Sequence, residues 1–116
     1  MQQAALPLFW RIGAFSGASA VLLGAFGAHG LQKYLENNPK AIANWQTAAQ
    51  YHLVHSGALL IAAASRKQYA SILFTSGIVI FSGSLYLLVL SGEKKLGAIT
   101  PIGGLLLVGG WVALTL

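Results

Sequence analysis

Charged residues cut this chain into four long stretches. Ile12–Gln32 lies between Arg11 and Lys33, Ala41–Ser65 between Lys40 and Arg66, Gln68–Gly92 after Lys67, and Leu96–Leu116 after Lys95. None contains Asp, Glu, Lys or Arg. Each supplies the roughly 20 residues that a helix needs to cross a hydrocarbon core of about 30 Å. The links KYLENNPK, RK and EKK are short, and short links make consecutive helices antiparallel neighbours. The pattern therefore predicts an all-α integral membrane protein, an antiparallel up-down bundle of four transmembrane helices. The expected helices run approximately 8–32, 40–65, 68–91 and 96–116 within one domain, 1–116. Asn38-Pro39 reads as a cap and a first-turn proline opening the second helix. Thr100-Pro101 either opens the fourth in the same way or kinks it near its start.

Small residues form a second pattern. Gly13, Gly17, Ala20, Gly24 and Gly27 follow one another at spacings of four and three, a heptad seam with almost no side chain. Ala48, His55 and Ala62 recur every seventh position, with Ala49, Ser56 and Ala63 beside them. Ser71, Thr75 and Gly83 mark the third segment, and Gly103, Gly104, Gly109 and Gly110 the fourth. Lipid supplies no hydrophobic drive between helices, so close approach at small residues holds them together. The expected interfaces are thus Gly/Ala/Ser-rich, with Gly13, Gly17, Gly24, Gly27, Gly83, Gly103 and Gly104 as packing positions.

Composition agrees with a membrane class. The chain is 56% hydrophobic and 8% charged, against about 25% charged in soluble domains, and its mean hydropathy is +0.69. Cysteine is absent, and the only carboxylates are Glu36 and Glu93. The net charge of +5 is punctuation between apolar runs, not a nucleic-acid patch. Trp10, Tyr69 and Trp111 fall near one end of the predicted bundle, and Tyr34, Trp45 and Tyr86 near the other, as interfacial belts would. Arg11, Arg66 and Lys67 oppose Lys33, Lys40, Lys94 and Lys95; three cations against four set no orientation. Arg11, an apolar stretch and Ala18-Ser19-Ala20 also fit a cleavable signal peptide, against which the glycine seam continues past the cleavage site. The first ten residues lack the Arg-rich character of a transit peptide.

Two histidines sit three residues apart inside the second segment, AAQYHLVHSGALL. His55 lies on the small-residue seam and is expected to face protein, and His52 has Ser56 at i+4 as a hydrogen-bond partner. His29 enters from the same end as His52. With Tyr51, these form a candidate polar intramembrane site: His29, His52, His55, Tyr51 and Ser56. Neutral His and Ser joining helices is the leading reading, at about 0.6 kcal/mol per bond. A proton or ion path along His29 and His55, with Tyr51 and Tyr86 as further titratable groups, is the alternative. Haem or metal ligation by two imidazoles has no acidic or thiolate ligand to help it. Hydrolysis by Ser56, Ser82 or Ser84 lacks an acid to orient a histidine. The glycine pairs of the last segment are not phosphate loops, since no Lys-Ser or Lys-Thr follows them.

GAFGAHG (24–30), YHLVHSGALL (51–60), FSGSLYLLVLSG (81–92) and ITPIGGLLLVGGW (99–111) resemble the membrane family filed as domain of unknown function 423, whose eukaryotic members are called transmembrane protein 256. The resemblance runs nearly the whole chain. It implies four membrane helices, with His29 in a Gly-Ala-His motif, His55 in a Tyr-x-x-x-His motif and Pro101 in a Thr-Pro motif before a diglycine. Many bacterial members look to have Gln at position 52, which makes His52 a hydrogen-bonding residue and shifts attention to His29 and His55. The family brings no activity with it. The expectation is a non-catalytic scaffold or accessory subunit without a cofactor. Its expected partners are the bilayer and other membrane subunits or copies of itself, with no nucleic acid. It would lie in a bacterial plasma membrane or a mitochondrial inner membrane.

Overall fold

A computed structural model describes residues 8–116. The first seven residues of the predicted domain, seven of the ten that lack transit-peptide character, lie outside the described residues, whereas Arg11 and Ala18-Ser19-Ala20 lie within α1. Four main helices follow in order: α1 (Leu8–Phe26), α2 (Pro39–Ala64), α3 (Gln68–Ser91) and α4 (Thr100–Ala113). The second and third match the expected boundaries to within a residue.

The ends of the helices have local causes. Asn38 Oδ1 accepts from the Ala41 N–H at 3.1 Å, and Pro39 occupies the first turn, as the sequence predicts. Between α2 and α3 the chain reverses at Arg66, which takes a left-handed φ of 59°. The Arg66 N–H bonds to Ala63 O at 3.1 Å and the Lys67 N–H to Ala62 O at 2.9 Å, a Schellman closure built without glycine. α3 stops at Gly92, whose φ of 73° suits a residue with no Cβ.

Two helices depart from the expected outline. The first is continuous only to Phe26, after which Gly27–Leu31 widens into a π turn before a short α segment, Gln32–Tyr34. The fourth does not begin at residue 96. Lys94–Ala98 forms a separate 3₁₀ turn, and α4 starts at Thr100 because Pro101 has no N–H with which to extend a helix backwards. Thr100-Pro101 is therefore an opening and not a kink.

The helices pack in chain order, α1 on α2, α2 on α3 and α3 on α4. The apolar core sits towards one end, where Ala58, Leu59 and Ala62 of α2 meet Ala70, Phe74 and Ile78 of α3 and Leu107 of α4. Phe9 and Ile12 of α1 close it. Among the described residues three stretches are long and apolar enough to cross a membrane: Leu8–Tyr34, Gln68–Ser91 and Lys94–Ala113. α2 has the length, about 39 Å for its 26 residues, but not the hydropathy. Three of its polar side chains, His52, His55 and Ser56, are turned into protein, whereas Gln46 and Gln50 are exposed.

Most predicted packing glycines are at real approaches. A methyl group at Gly103 would lie 2.7 Å from the Phe81 Cα, so α3 and α4 touch backbone to backbone there. Gly27 lies under the Trp45 ring, and Gly13 under Leu60. Gly17 and Gly24 face Ser56 and Ala49 at ordinary distance, as Gly104 faces Phe81. Gly83 is the exception, with no neighbour within 4 Å of the space a Cβ would take. The close approach on α3 is instead at Gly77, against Leu107, and α4 adds Gly110 against the Phe74 ring.

Candidate functional site

The middle of α2 is the polar centre of the molecule. Heptad spacing turns Ala48, His55 and Ala62 to one side, and His52, Ala49 and Ser56 to the adjoining one. Neighbours on three helices then supply partners. His55 Nε2 accepts from the Trp111 indole N–H on α4 at 3.0 Å, and its Nδ1 lies 2.8 Å from the Tyr51 carbonyl oxygen. Because an indole nitrogen only donates and a carbonyl only accepts, the pair assigns the tautomer. The His55 proton is on Nδ1.

His52 has the opposite arrangement. Its Nδ1 is 2.9 Å from the Tyr86 hydroxyl on α3, and its Nε2 is 3.3 Å from Ser19 Oγ on α1. Ser19 spends its own proton on the Ser16 carbonyl at 2.8 Å, so towards His52 it accepts. His52 thus carries its proton on Nε2, and Tyr86 donates to Nδ1. Ser56 Oγ donates to the His52 backbone carbonyl at 2.6 Å, and Ser16 Oγ bonds Ser56 Oγ at 2.6 Å. The expected partnership of His52 with Ser56 exists, but through the main chain and not the ring. Ser82 Oγ donates to the Ala48 carbonyl at 2.8 Å, a second hydrogen bond between α2 and α3. Among the described residues no buried side-chain nitrogen or oxygen lacks a partner.

Two members of the predicted cluster lie elsewhere. Tyr51 is 44% exposed and contributes its carbonyl and the stacking of its ring on His55, 5.6 Å between centroids. His29 is exposed. The buried positions along the first helix are Gly13, Ala20, Gly27 and Leu31, and His29, two residues past Gly27, points to the opposite side. It joins neither His52 nor His55. Conversely, Trp45 is not an interfacial belt residue. It is 2% exposed, stands over Gly27, donates to the Leu23 carbonyl at 2.8 Å and packs on Tyr86 at 4.7 Å. Tyr86 likewise turns inward to His52. Ser16, Ser19 and Trp111 are the cluster members that spacing along α2 does not reveal, since each bond reaches 33 to 56 residues along the chain. Ser16 and Ser19 flank Gly17 on the seam, which is the signal that places them.

The chemistry of this arrangement is cohesive. Four helices are joined by neutral donors and acceptors whose protons are all assigned. Among the described residues no three His, Cys, Asp or Glu side chains converge as metal ligands would.

The family described as "Protein of unknown function (DUF423)" matches residues 23–104. The chain belongs to this family. A UPF0382 membrane protein of Staphylococcus aureus (strain bovine RF122 / ET3-1) is 43% identical over 115 residues, covering 94% of this chain and 93% of its own. The UPF0382 membrane protein YwdK of Bacillus subtilis is 38% identical, covering 92% of each chain. A UPF0382 membrane protein of Schizosaccharomyces pombe is 35% identical, covering 90% of this chain and 96% of its own. No solved structure matches. This DUF423 chain is accordingly an all-helical membrane protein, with relatives in bacteria and yeast.

Proposed function

We propose that this DUF423 protein is a small non-catalytic integral membrane protein that serves as a scaffold or accessory subunit of a membrane assembly. Its helices form an antiparallel up-down bundle that crosses the bilayer four times, α2 included. The His/Tyr/Ser network fixes the packing of that bundle. A bacterial plasma membrane or a mitochondrial inner membrane is the proposed location, which relatives in bacteria and a yeast support.

The observation that carries the reading is the state of His55. A proton relay needs a ring nitrogen with a lone pair free to take a proton. The one lone pair of His55 accepts from Trp111, and its one proton is held by Tyr51 O. His52 is bound at both nitrogens in the same way. Such a network specifies one arrangement of helices. It supports a structural role over a conducting one.

The test is purification in mild detergent at native abundance. A stoichiometric membrane partner, or an oligomer of the chain, is expected. Recovery of an isolated monomer only would count against the scaffold. Proton or ion flux in proteoliposomes that disappears in His55→Ala would replace it with a channel or transporter.

A further inference from the structure

The apolar core closes one end of the molecule, but the other end opens. A cavity of about 750 Å³ lies between the start of α2, the end of α3 and the turn leading into α4. We infer that this cavity binds an anionic phospholipid, with the phosphate between Lys40 and Lys94 and an acyl chain along α3. The inference rests on the membrane-crossing arrangement proposed above, which puts this end of the bundle at the bilayer surface.

Charge is the first argument. Lys40 and Lys94 both line the cavity, and neither Glu36 nor Glu93, the only carboxylates of the chain, does. Basic pockets between membrane helices are the recurring form of anionic headgroup sites. Two helix starts add to the same field. α2 begins at Pro39 and α4 at Thr100, and Lys40, Ala41, Thr100 and Pro101 of those first turns line the wall. Helix N-termini favour anions. Asn38 spends its side-chain oxygen on the Ala41 N–H, which leaves its amide N–H groups as donors, and Asn44 lies a turn and a half further along the same helix.

The wall away from the lysines is the second argument. Phe81, Leu85, Leu88 and Val89 run along α3 beneath the cationic rim. A free phosphate has no use for that surface, whereas an acyl chain does. Gly97 in the turn leaves room beside Leu88, whose Cδ2 is 3.8 Å from the place of a Cβ. The volume is within the range of about 300–1,000 Å³ typical of small-molecule sites, enough for a headgroup and the first part of a chain.

The experiment is native mass spectrometry of the full chain in mild detergent, titrated with phosphatidylglycerol or phosphatidylcholine. Lipid selectivity is read on the protein alone, so it stands or falls separately from any partner subunit. Phosphatidylglycerol should be retained preferentially. Lys40→Gln/Lys94→Gln should lower its retention by about 25-fold, roughly fivefold for each interfacial cation, and leave phosphatidylcholine unchanged. Arg11→Gln/Lys67→Gln removes equal charge elsewhere and should have little effect. Val89→Trp, which fills the acyl wall and spares both lysines, should also release the lipid. Millimolar inorganic phosphate should not displace it. Equal loss in the two charge variants would mean a general surface attraction and overturn the site. Displacement by phosphate would make it a soluble-anion pocket and overturn the lipid. Should the lysine pair variant fail to fold, undiminished retention by Val89→Trp would overturn the proposal by itself.

Discussion

His55 and His52 are one turn apart on the same helix, yet they carry their protons on different nitrogens. The difference comes from what faces them: an indole donor for His55, and a phenol and an engaged serine for His52. The seam position of His55 was legible in the sequence, because its spacing of seven from Ala48 and Ala62 fixes the face. Its partner was not, because Trp111 lies 56 residues away and its aromatic character suits an interface equally well. His29 departs from the expected cluster for a related reason: sequence position sets its depth along the helix, but its exposed side is set by rotation through the π turn. The consequences are separable. Trp111→Phe keeps an aromatic ring, though a smaller one, and deletes the donor, so the hydrogen bond's share of its cost should be about 0.6 kcal/mol, the usual worth of an interhelical hydrogen bond in lipid. SDS unfolding titrations of the reconstituted protein would measure it. In a double-mutant cycle, Trp111→Phe should lose that share of its effect when His55 is replaced by Ala. His29→Ala should leave the midpoint where it was, and a matching loss there would contradict the exposed placement.

At the scale of elements, α2 is the least apolar of the four helices. It turns His52, His55, Ser56 and its alanines towards α1, α3 and α4, while Leu53, Val54 and Ile61 stay exposed. α3 is also flanked on both sides, by α2 and α4, and exposes Val79 and Leu87, as α1 exposes Phe15 and Leu22 and α4 exposes Leu105 and Val108. Helix existence and the ends of α2 and α3 were legible from charges and the Asn-Pro cap. The π turn was not, since it depends on a local backbone choice that hydropathy does not encode, and the late start of α4 was legible only as one of two readings of Thr100-Pro101. Glycines were legible as a class and less so one by one. Gly83 belongs to a small-residue pattern but stands open, whereas Gly77, outside it, receives Leu107. Substitution distinguishes them. Gly103→Ala pushes a methyl into the Phe81 backbone and should cost about 1–3 kcal/mol as an overpacked contact that side-chain rotation cannot relieve. Gly83→Ala meets nothing and should be neutral or slightly stabilising through better helix propensity. Thermal aggregation midpoints in one detergent would rank the two; equal losses would mean that α3 and α4 do not approach at Gly103.

For the molecule as a whole, the two ends differ in kind. One is filled by Leu59, Phe74, Ile78 and Leu107 with Phe9 and Ile12 against them, and the other holds the lysine-rimmed cavity. Between them lies the polar network, so the molecule is sealed at one end, pinned in the middle and open at the other. The chain order of packing gives α2 a protein neighbour on each side, which is how a helix of modest hydropathy can be held at membrane depth. Whether α2 crosses is the point on which the whole architecture turns, and the chain offers a clean way to ask. It has no cysteine, so any introduced thiol is unique. Glu36→Cys, Lys67→Cys and Lys95→Cys place one thiol in each connection, all remote from the histidine network. If α2, α3 and α4 each connect opposite surfaces, positions 36 and 95 share a side and position 67 lies on the other. An impermeant maleimide added to sealed, inverted vesicles should then label 67 differently from 36 and 95, whichever way the protein is inserted. If α2 instead lay within one leaflet, 36 and 67 would label together and 95 apart. The lysine cavity gives that result a further use: its rim residues Lys40 and Lys94 flank the connections at 36 and 95, so their shared side is also the leaflet whose anionic lipids the cavity would sample.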